Sequence, residues 1–226
     1  MKKKEKLKIV YEDKDILIVN KKSGMLTVST DKEKERTLFH EVLTFQKQKN
    51  KNNKIFIVHR LDKDTSGLVL FAKSEKVKRL LQDNWDLVER EYVALVNGRV
   101  KKQKDSIKSY LMEIKTLLVY STKDSKKGKF AQTDYEVLEQ NNEYSLLKIS
   151  IKTGRKNQIR VHLNDIGHSI VGDKKYGKIK KDPLRRMCLH ATKLEFVHPV
   201  TKKNMLIEVD IPKEFIFLSN KKVPNK

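Results

Sequence analysis

The chain has 226 residues, of which 38% are hydrophobic and 35% are charged, so it is long enough to bury one substantial core. Its 51 basic and 29 acidic residues give a net charge of +22, which favours a polyanionic partner, with nucleic acid as the first expectation. An anionic membrane surface is the weaker alternative, because no basic amphipathic helix of convincing length is predicted. No apolar stretch of signal or membrane length follows the charged N-terminus, so we expect neither export nor membrane insertion.

The chain contains one cysteine, Cys188, which excludes an intrachain disulfide and a cysteine-based metal cluster. It lies in an apolar run and is interpreted as a small core residue. The absence of cysteine pairs fits a reducing compartment, so a cytoplasmic location is expected. No metal site is predicted from the histidines, because the spacings of His162 with His168 and of His190 with His198 put neither pair on one helical face.

Short strands and two capped helices are predicted in the first half of the chain. Residues 1–7 form a basic start that is expected to be disordered. Two strands follow, on either side of an acidic turn. Thr37 is placed to cap a helix that runs to about Gln48, and Ser74 is placed to cap a second helix that carries Trp85 on its apolar face.

The second half of the chain is predicted to contain more strands than helices. An apolar strand runs from residue 92 to 96, and two further strands are possible within the lysine-rich residues 101–129. A helix is predicted over residues 156–166, where apolar residues recur at helical spacing. Strands near 188–197 and 204–211 close the chain. Many strands with few helices indicate an α+β fold with a mostly antiparallel sheet.

The most informative segment is residues 59–67, which reads His-Arg-Leu-Asp-Lys-Asp-Thr-Ser-Gly between two apolar runs. It places the Asp62 carboxylate between the guanidinium of Arg60 and a small polar turn. A carboxylate at the end of a buried strand is costly unless it is paired or hydrogen-bonded, and such groups are often functional. From these residues alone, Asp62 is either a functional acid or part of an ordinary turn in which it pairs with Arg60.

Two further residues could carry chemistry. Arg160 follows Gly154 on the predicted helix, on a different face from the apolar residues. Beside a buried carboxylate, this arginine would favour the ionised acid, whereas on a solvated helix face it would have no such role. Tyr92 at its strand start is either a core residue or an aromatic surface on which an extruded base could stack.

These segments resemble the signatures of the RluA family of pseudouridine synthases. Residues 59–67 match the signature H-R-L-D-x-x-T-S-G at every fixed position. Residues 153–177 are similar to the segment T-G-R-x-H-Q-I-R-V-H-L and the G-D-x-x-Y-G that follows it, and residues 90–98 resemble K-x-Y-x-A-L-V-x-G. Residues 21–26 resemble K-P-x-G-L. The likeness extends in correct order from about residue 8 to residue 212.

The resemblance implies the pseudouridine synthase fold, a mixed and mostly antiparallel sheet with a central RNA-binding cleft flanked by helices and loops. Residues 8–218 are then one catalytic domain and residues 219–226 a basic tail. The implied activity is isomerisation of uridine to pseudouridine in structured RNA, with 23S ribosomal RNA as the first expectation and transfer RNA as the alternative. The enzyme is expected to be a monomer that needs neither cofactor nor metal.

The resemblance also implies a role for individual residues. Asp62 is the indispensable catalytic residue, acting as a nucleophile at C1′ or as a base at C2′, Arg160 pairs with it, and Tyr92 stacks on the target base. Arg60 is expected to enter the gap left by that base, and Leu61 and Val161 to shield the pocket from water. The complete set of expected RNA contacts is Lys21, Arg60, Leu61, Thr65, Arg155, Gln158, Val161 and His162.

Three positions depart from the family pattern: Lys22 and Ser169 each replace a proline, and Asn157 replaces a histidine. They affect the expected detail of RNA contact and leave the catalytic residues intact. Family members often carry an N-terminal S4-type RNA-binding domain, whereas here the catalytic domain is expected to begin at about residue 8. Target selection is therefore expected from the catalytic domain, with residues 101–129 as a candidate region.

Two functions of other classes remain as alternatives. The first is a non-catalytic RNA-binding relative that uses charge alone, which the intact Asp62, Tyr92 and Arg160 argue against. The second is a hydrolase that uses Asp62 to release the base into solution, which would leave an abasic site and free uracil.

Overall fold

The structure is a computed structural model that describes residues 7–31, 33–177 and 182–220. The expected disorder of the basic start and most of the expected basic tail lie outside the described residues. The contacts divide the chain into two compact units: unit 1 comprises residues 1–88 and 193–209, and unit 2 comprises residues 89–192 and 210–226. No helix in the described part of the chain is long and apolar enough to cross a membrane.

The described residues form strands and helices with the following bounds. The strands are β1 (Ile9–Glu12), β2 (Ile16–Lys21), β3 (Phe56–Ile57), β4 (Ser66–Ala72), β5 (Glu89–Asn97), β6 (Lys104–Glu113), β7 (Val119–Thr122), β8 (Lys129–Gln140), β9 (Tyr144–Ile151), β10 (Leu189–Val197) and β11 (Asn204–Glu208). The helices are α1 (Leu38–Lys49), α2 (Glu75–Asp83), α3 (Gln158–Asp165) and α4 (Lys213–Asn220), with a 3-10 helix at Trp85–Leu87. This composition confirms the predicted α+β fold.

Unit 1 is built around two buried strands, β2 and β4, in which only Asn20 of β2 is part-exposed. β2 lies between β1 and β4, and β3 also pairs with β4, all antiparallel. The pairing of β2 with β4 runs from Ile16 opposite Ala72 to Lys21 opposite Gly67. Apolar side chains from these strands pack against α2 and against the last residues of β10. The sheet therefore holds both ends of the segment that follows β3, because that segment leads directly into β4.

Unit 2 contains an antiparallel sheet in the order β5, β9, β8, β6, β7. In β9, buried and part-exposed residues alternate from Leu147 to Ile151, whereas Tyr144–Leu147 is buried throughout. In α3 all six residues Gln158–Leu163 are buried, so Arg160 does not lie on a solvated helix face. The polar side chains of α3 therefore have to find partners inside unit 2.

The two predicted helix caps are confirmed. The hydroxyl of Thr37 accepts a hydrogen bond from His40 N at 3.2 Å, and the hydroxyl of Ser74 accepts one from Val77 N at 3.2 Å. The helix after Ser74 ends earlier than expected, at Asp83, and Trp85 lies in the 3-10 helix. The amide of Asn84 donates to Leu80 O at 2.8 Å, which satisfies a carbonyl at the end of α2 and favours this early stop.

α4 was not predicted, and the last strand ends at Glu208 instead of near residue 211. The amide of Asn141 donates to the carbonyls of Leu218 and Ser219 at 2.8 and 3.1 Å, which stabilises the end of α4. Phe215 of this helix is fully buried. Cys188 is also buried in the core, as predicted. Burial raises the pKa of the Cys188 thiol to about 12.

Glu12 connects three parts of unit 1. Its carboxylate accepts hydrogen bonds from Gln46 and Lys49 of α1 and from Lys73 after β4, at 2.8–2.9 Å. Desolvation acts to raise the pKa of Glu12, but the hydrogen bonds from Lys49, Lys73 and Gln46 outweigh it and lower the pKa to about 2. A carboxylate with a lowered pKa stabilises the folded state above its unfolded pKa, and this contribution disappears as the pH falls through the folded pKa.

We therefore predict that Glu12→Gln lowers the free energy of unfolding by about 1 kcal/mol at pH 7, because the charged partners in this part-exposed site lose their carboxylate. The difference from the unmodified protein should shrink as the pH falls from about 4.5 towards 2. This difference in the free energy of unfolding is measured by urea denaturation at pH 7, 5, 4 and 3, with circular dichroism as the signal. The control is Glu208→Gln on an exposed position of the same unit. A difference that is independent of pH would contradict the prediction.

Candidate active site

In unit 1, the loop between β3 and β4 carries Asp62 and is fixed on both sides of it. The hydroxyl of Thr27 accepts a hydrogen bond from Leu61 N at 3.2 Å and donates one to Leu61 O at 2.7 Å. On the other side, Thr65 N donates to Asp62 O at 3.2 Å. Asp62 itself is half-buried and Arg60 is exposed. The backbone around the carboxylate is therefore constrained, while its neighbour Arg60 faces solvent.

Lys21 also holds this loop, and its predicted contact with RNA stays a prediction. Its side chain is buried, with 1% of the residue exposed. The ammonium donates to the carbonyls of Lys22, Met25 and Lys63 at 3.0, 2.7 and 2.9 Å. These three bonds match the three donors of an ammonium group, so the buried charge is satisfied by backbone oxygens. Lys21 thus joins the turn after β2 to the loop that carries Asp62.

His59 fixes the start of this loop, a role that the sequence did not indicate. Its Nε2 accepts a hydrogen bond from Leu70 N at 3.0 Å, which requires the neutral ring to carry its proton on Nδ1. The ring stacks on Trp85, with centroids 4.5 Å apart and an angle of 27° between the planes. The only tryptophan of the chain therefore packs against the signature segment instead of extending the apolar face of α2.

In unit 2, Tyr92 lies within β5, which begins at Glu89, three residues earlier than predicted. Tyr92 is paired with Ile149 of β9 and only 9% of it is exposed. The pairing of β5 with β9 therefore fixes the position of Tyr92. Its predicted stacking on a base stays a prediction.

Arg160 of α3 forms a buried ion pair with Asp173. Nε and Nη2 of Arg160 donate to the two oxygens of Asp173 at 2.7 and 2.8 Å, the bidentate arrangement typical of strong arginine–carboxylate pairs. Asp173 also forms the turn, because its Oδ1 accepts from Lys175 N and Tyr176 N. Desolvation acts to raise the pKa of Asp173, but hydrogen bonding and the charge of Arg160 outweigh it and lower the pKa.

Gln158 has a structural role inside unit 2, and its predicted contact with RNA stays a prediction. Its Oε1 accepts from Thr153 Oγ1 at 2.7 Å and from Arg155 N at 3.1 Å. Its Nε2 donates to Gln132 O at 2.8 Å and to Thr133 Oγ1 at 3.0 Å. All four hydrogen-bonding positions of the side-chain amide are used inside unit 2, where they join the start of α3 to β8.

The next helical residues are also internal. His162 has no exposed surface, and its two ring nitrogens lie 2.9 Å from the hydroxyls of Ser109 and Thr133. Burial lowers the pKa of His162 to about 4, so the ring is neutral at pH 7. Val161 packs in an apolar cluster with Leu111, Val119 and Ala131. Both side chains are buried in unit 2, and the roles predicted for them at the RNA stay predictions.

The remaining predicted contacts differ in exposure. Leu61 and Thr65 are buried, at 7% and 3% exposed, and their contact with RNA stays a prediction. Arg60 and Arg155 are exposed. Nε of Arg155 donates to Phe130 O at 3.1 Å, which fixes the direction of the side chain. The two exposed arginines are therefore the predicted contacts whose positions fit binding to phosphates.

Among the described residues, Asp13, Asp15 and His198 form the one group whose spacing could hold a metal ion. The carboxylate of Asp13 already accepts hydrogen bonds from Tyr11, His198 and two backbone amides. Nδ1 of His198 accepts from Val200 N and Thr201 N, so its other nitrogen carries the proton that it donates to Asp13. This donor set fits a structural link between two hairpins of unit 1 rather than a metal site.

Comparison with known proteins identifies the family to which these residues belong. The RNA pseudouridylate synthase family matches residues 15–165. The chain belongs to this family. The chain is 36% identical over 226 residues to the ribosomal large subunit pseudouridine synthase D of Nitrosomonas europaea, with 94% of this chain and 64% of that protein covered. It is 33% identical over 234 residues to the tRNA pseudouridine synthase C of Haemophilus ducreyi, with 95% of each covered.

A solved structure supports the same assignment. Human RNA pseudouridylate synthase domain containing 1 superposes with a TM-score of 0.75 and 26% identity, over 93% of this chain and 86% of that one. The resemblance of residues 59–67 and 153–177 to the RluA family is therefore confirmed, as is the pseudouridine synthase fold. By its family, the protein is an isomerase that acts on RNA.

The buried position of Lys21 leads to a prediction that separates a structural role from phosphate binding. Lys21→Met should lower the free energy of unfolding by about 2 kcal/mol, because three carbonyls lose their donor. The dependence of RNA affinity on salt should stay unchanged, since no phosphate contact is removed. The measurements are urea unfolding and RNA binding titrated at several salt concentrations.

The matched control is Lys63→Met, whose exposed side chain lies on the same loop. It removes the same charge without removing the ammonium that satisfies the carbonyls. If Lys21 instead contacts a phosphate, Lys21→Met would leave stability intact and reduce the slope of log affinity against log salt by about one.

Proposed function

We propose that this protein converts specific uridines of 23S ribosomal RNA to pseudouridine, with transfer RNA as the alternative substrate. The observation that carries the proposal is the intact signature around Asp62, held in a loop fixed by Thr27, Lys21 and His59. Similar proteins named for the large ribosomal subunit and for transfer RNA support an RNA of either class. We also propose that the enzyme is a cytoplasmic monomer.

The reaction breaks the N1–C1′ glycosidic bond, turns the uracil and forms a C5–C1′ bond, with loss of the C5 proton and gain of a proton at N1. Product and substrate have the same atoms and the same oxidation level, so the proposed chemistry requires no cofactor and no metal. The target base must leave its stack to be reached, at a cost of a few kcal/mol. Asp62 acts at the sugar, either as nucleophile at C1′ or as base at C2′.

Arg160 is proposed to orient Asp62 while it also holds Asp173. A guanidinium has five N–H donors, enough for a bidentate pair with Asp173 and hydrogen bonds to a second carboxylate. The charge of Arg160 would then be shared between two acids, so it stabilises ionised Asp62 less than an undivided ion pair would. Its main contribution is therefore the direction in which the Asp62 carboxylate points.

Contacts with the RNA are also proposed for Tyr92, Arg60, Leu61 and Arg155. Tyr92 offers a ring that the sheet holds in place for stacking on the uracil, an interaction worth about 1–3 kcal/mol per base. Arg60 is proposed to fill the gap left by the extruded base, and Leu61 to exclude water from the pocket. Arg155 and other surface cations are proposed to bind phosphates in the RNA-binding cleft, which makes affinity strongly dependent on salt.

We predict that Asp62→Asn abolishes pseudouridine formation and changes RNA affinity by no more than a few-fold, because it removes the reacting carboxylate and little of the surface. The measurement is carbodiimide labelling and primer extension on total RNA. It compares cells that lack the gene with the same cells complemented by the unmodified protein or the variant. The matched control is Asp64→Asn, an exposed position two residues along the same loop.

The possible outcomes of the pseudouridine mapping lead to different conclusions. Sites lost in the deletion strain and restored by the unmodified protein and Asp64→Asn, but not by Asp62→Asn, establish catalysis and name the substrate. Sites in transfer RNA alone would favour the alternative substrate. Restoration by Asp62→Asn would refute the assignment of the catalytic acid. Release of free uracil with an abasic site would indicate a hydrolase.

We predict that Tyr92→Phe keeps RNA affinity within about twofold, because the aromatic ring remains, whereas Tyr92→Leu weakens it about tenfold through lost stacking. Affinity is measured by filter binding to the RNA that the mapping identifies, and the rate of each variant by single-turnover kinetics. Tyr135→Phe, on a buried position of β8, is the control. Equal affinity of the phenylalanine and leucine variants would contradict stacking.

A further inference from the structure

The guanidinium of Arg160 is held by a second group of side chains besides Asp173. Nη1 donates to Asn157 Oδ1 at 3.1 Å, and Nδ2 of Asn157 donates to the hydroxyl of Tyr176 at 3.0 Å. The ring of Tyr176 lies beneath Arg160, with the guanidinium carbon 5.1 Å from the ring centroid. Arg160 is therefore fixed at one edge by Asp173, at another by Asn157 and on one face by an aromatic ring.

The direction of the Asn157 amide follows from chemistry. Arginine has no acceptor, so the amide oxygen has to face Arg160, and this turns Nδ2 towards the hydroxyl oxygen of Tyr176. That oxygen also accepts a hydrogen bond from Val119 N at 3.1 Å, so both of its acceptor positions are used. The chain of contacts thus continues from Arg160 to the backbone of β7.

A neighbouring contact reinforces this connection. Nζ of Lys175 donates to Leu117 O at 2.7 Å, in the turn between β6 and β7. The hairpin of β6 and β7 is therefore joined to the turn at residues 173–176 at two backbone positions, Leu117 and Val119. Both of these hydrogen-bonding partners on the hairpin are backbone groups, and Tyr176 also packs against the apolar cluster that includes Leu111 and Val119 of the hairpin.

The backbone of Asn157 explains which residues can stand at this position. Its φ is 56° and its ψ 17°, in the left-handed region, where asparagine and histidine are enriched among residues other than glycine. Asparagine satisfies the backbone requirement and supplies both the acceptor for Arg160 and the donor for Tyr176.

We propose that Asn157 and Tyr176 are positioning residues that fix the guanidinium of Arg160 and tie it to the hairpin of β6 and β7. This inference rests on the proposed role of Arg160 in orienting Asp62. Loss of either link lets the guanidinium move within its site while Asp173 keeps it paired. Catalytic turnover then falls, whereas binding of RNA, which uses exposed groups, is retained.

The test compares kcat and KM on the RNA identified by the mapping. Asn157→Gly removes the amide and keeps the left-handed backbone without strain, and Tyr176→Phe removes only the hydroxyl. We expect kcat to fall about tenfold for Asn157→Gly and about threefold for Tyr176→Phe, with KM within about twofold. Tyr135→Phe is the control, because it removes a hydroxyl from a buried tyrosine of β8, outside that hairpin.

A double-mutant cycle distinguishes positioning from a general structural effect. Arg160→Met alone should lower kcat, and adding Asn157→Gly or Tyr176→Phe to it should cause no further loss, because both act through Arg160. Additive losses would overturn the inference, as would single variants with unchanged kcat. If Asn157→Gly fails to fold, Tyr176→Phe carries the test alone.

The same experiment separates failure of this inference from failure of the proposed function. An unmodified protein that makes no pseudouridine on any RNA would end both. An active protein whose Arg160→Met variant turns over normally would overturn the positioning role and leave the proposed activity standing.

Discussion

The ion pair of Arg160 with Asp173 is the contact on which the arrangement of unit 2 depends. Both groups are almost fully removed from water, with side chains 10% and 1% exposed. A buried charge is tolerated only when it is paired and hydrogen-bonded, and removal of one partner typically costs about 3–5 kcal/mol. Asp173 therefore has no freedom to leave Arg160, and the turn that Asp173 forms with Lys175 and Tyr176 is placed by the same pair.

Unit 1 uses a buried charge in a comparable way. The ammonium of Lys21 donates to three carbonyls, so it fixes the backbone of the turn after β2 and of the loop that carries Asp62. The backbone beside Asp62 is therefore positioned by a hydrogen bond to Lys63 O that does not use the Asp62 side chain.

The sequence predicts well whatever depends on neighbours along the chain. The caps at Thr37 and Ser74 are local hydrogen bonds, and the fold class follows from the apolar periods of the strands. The sequence fails where a polar residue finds its partner far away. The sequence does not show that Gln158 and His162 contact β8, because the strand is distant along the chain. In the structure both side chains form hydrogen bonds with β8. α4 was missed for the same reason, since Asn141 stabilises its end from 77 residues away.

The burial of these residues changes where selectivity for a particular RNA has to reside. A charge of +22 attracts any RNA, because phosphate binding carries no sequence information. Discrimination requires contacts to bases or to RNA shape, and the side chains of Lys21, Gln158 and His162 are buried, at 1%, 3% and 0% exposed. The lysine-rich residues 101–129 remain the candidate region, and β6 and β7 lie within it. If Asn157 and Tyr176 tie that hairpin to Arg160, an RNA that displaces the hairpin also displaces the guanidinium, so a poorly fitting RNA would be bound but turned over slowly.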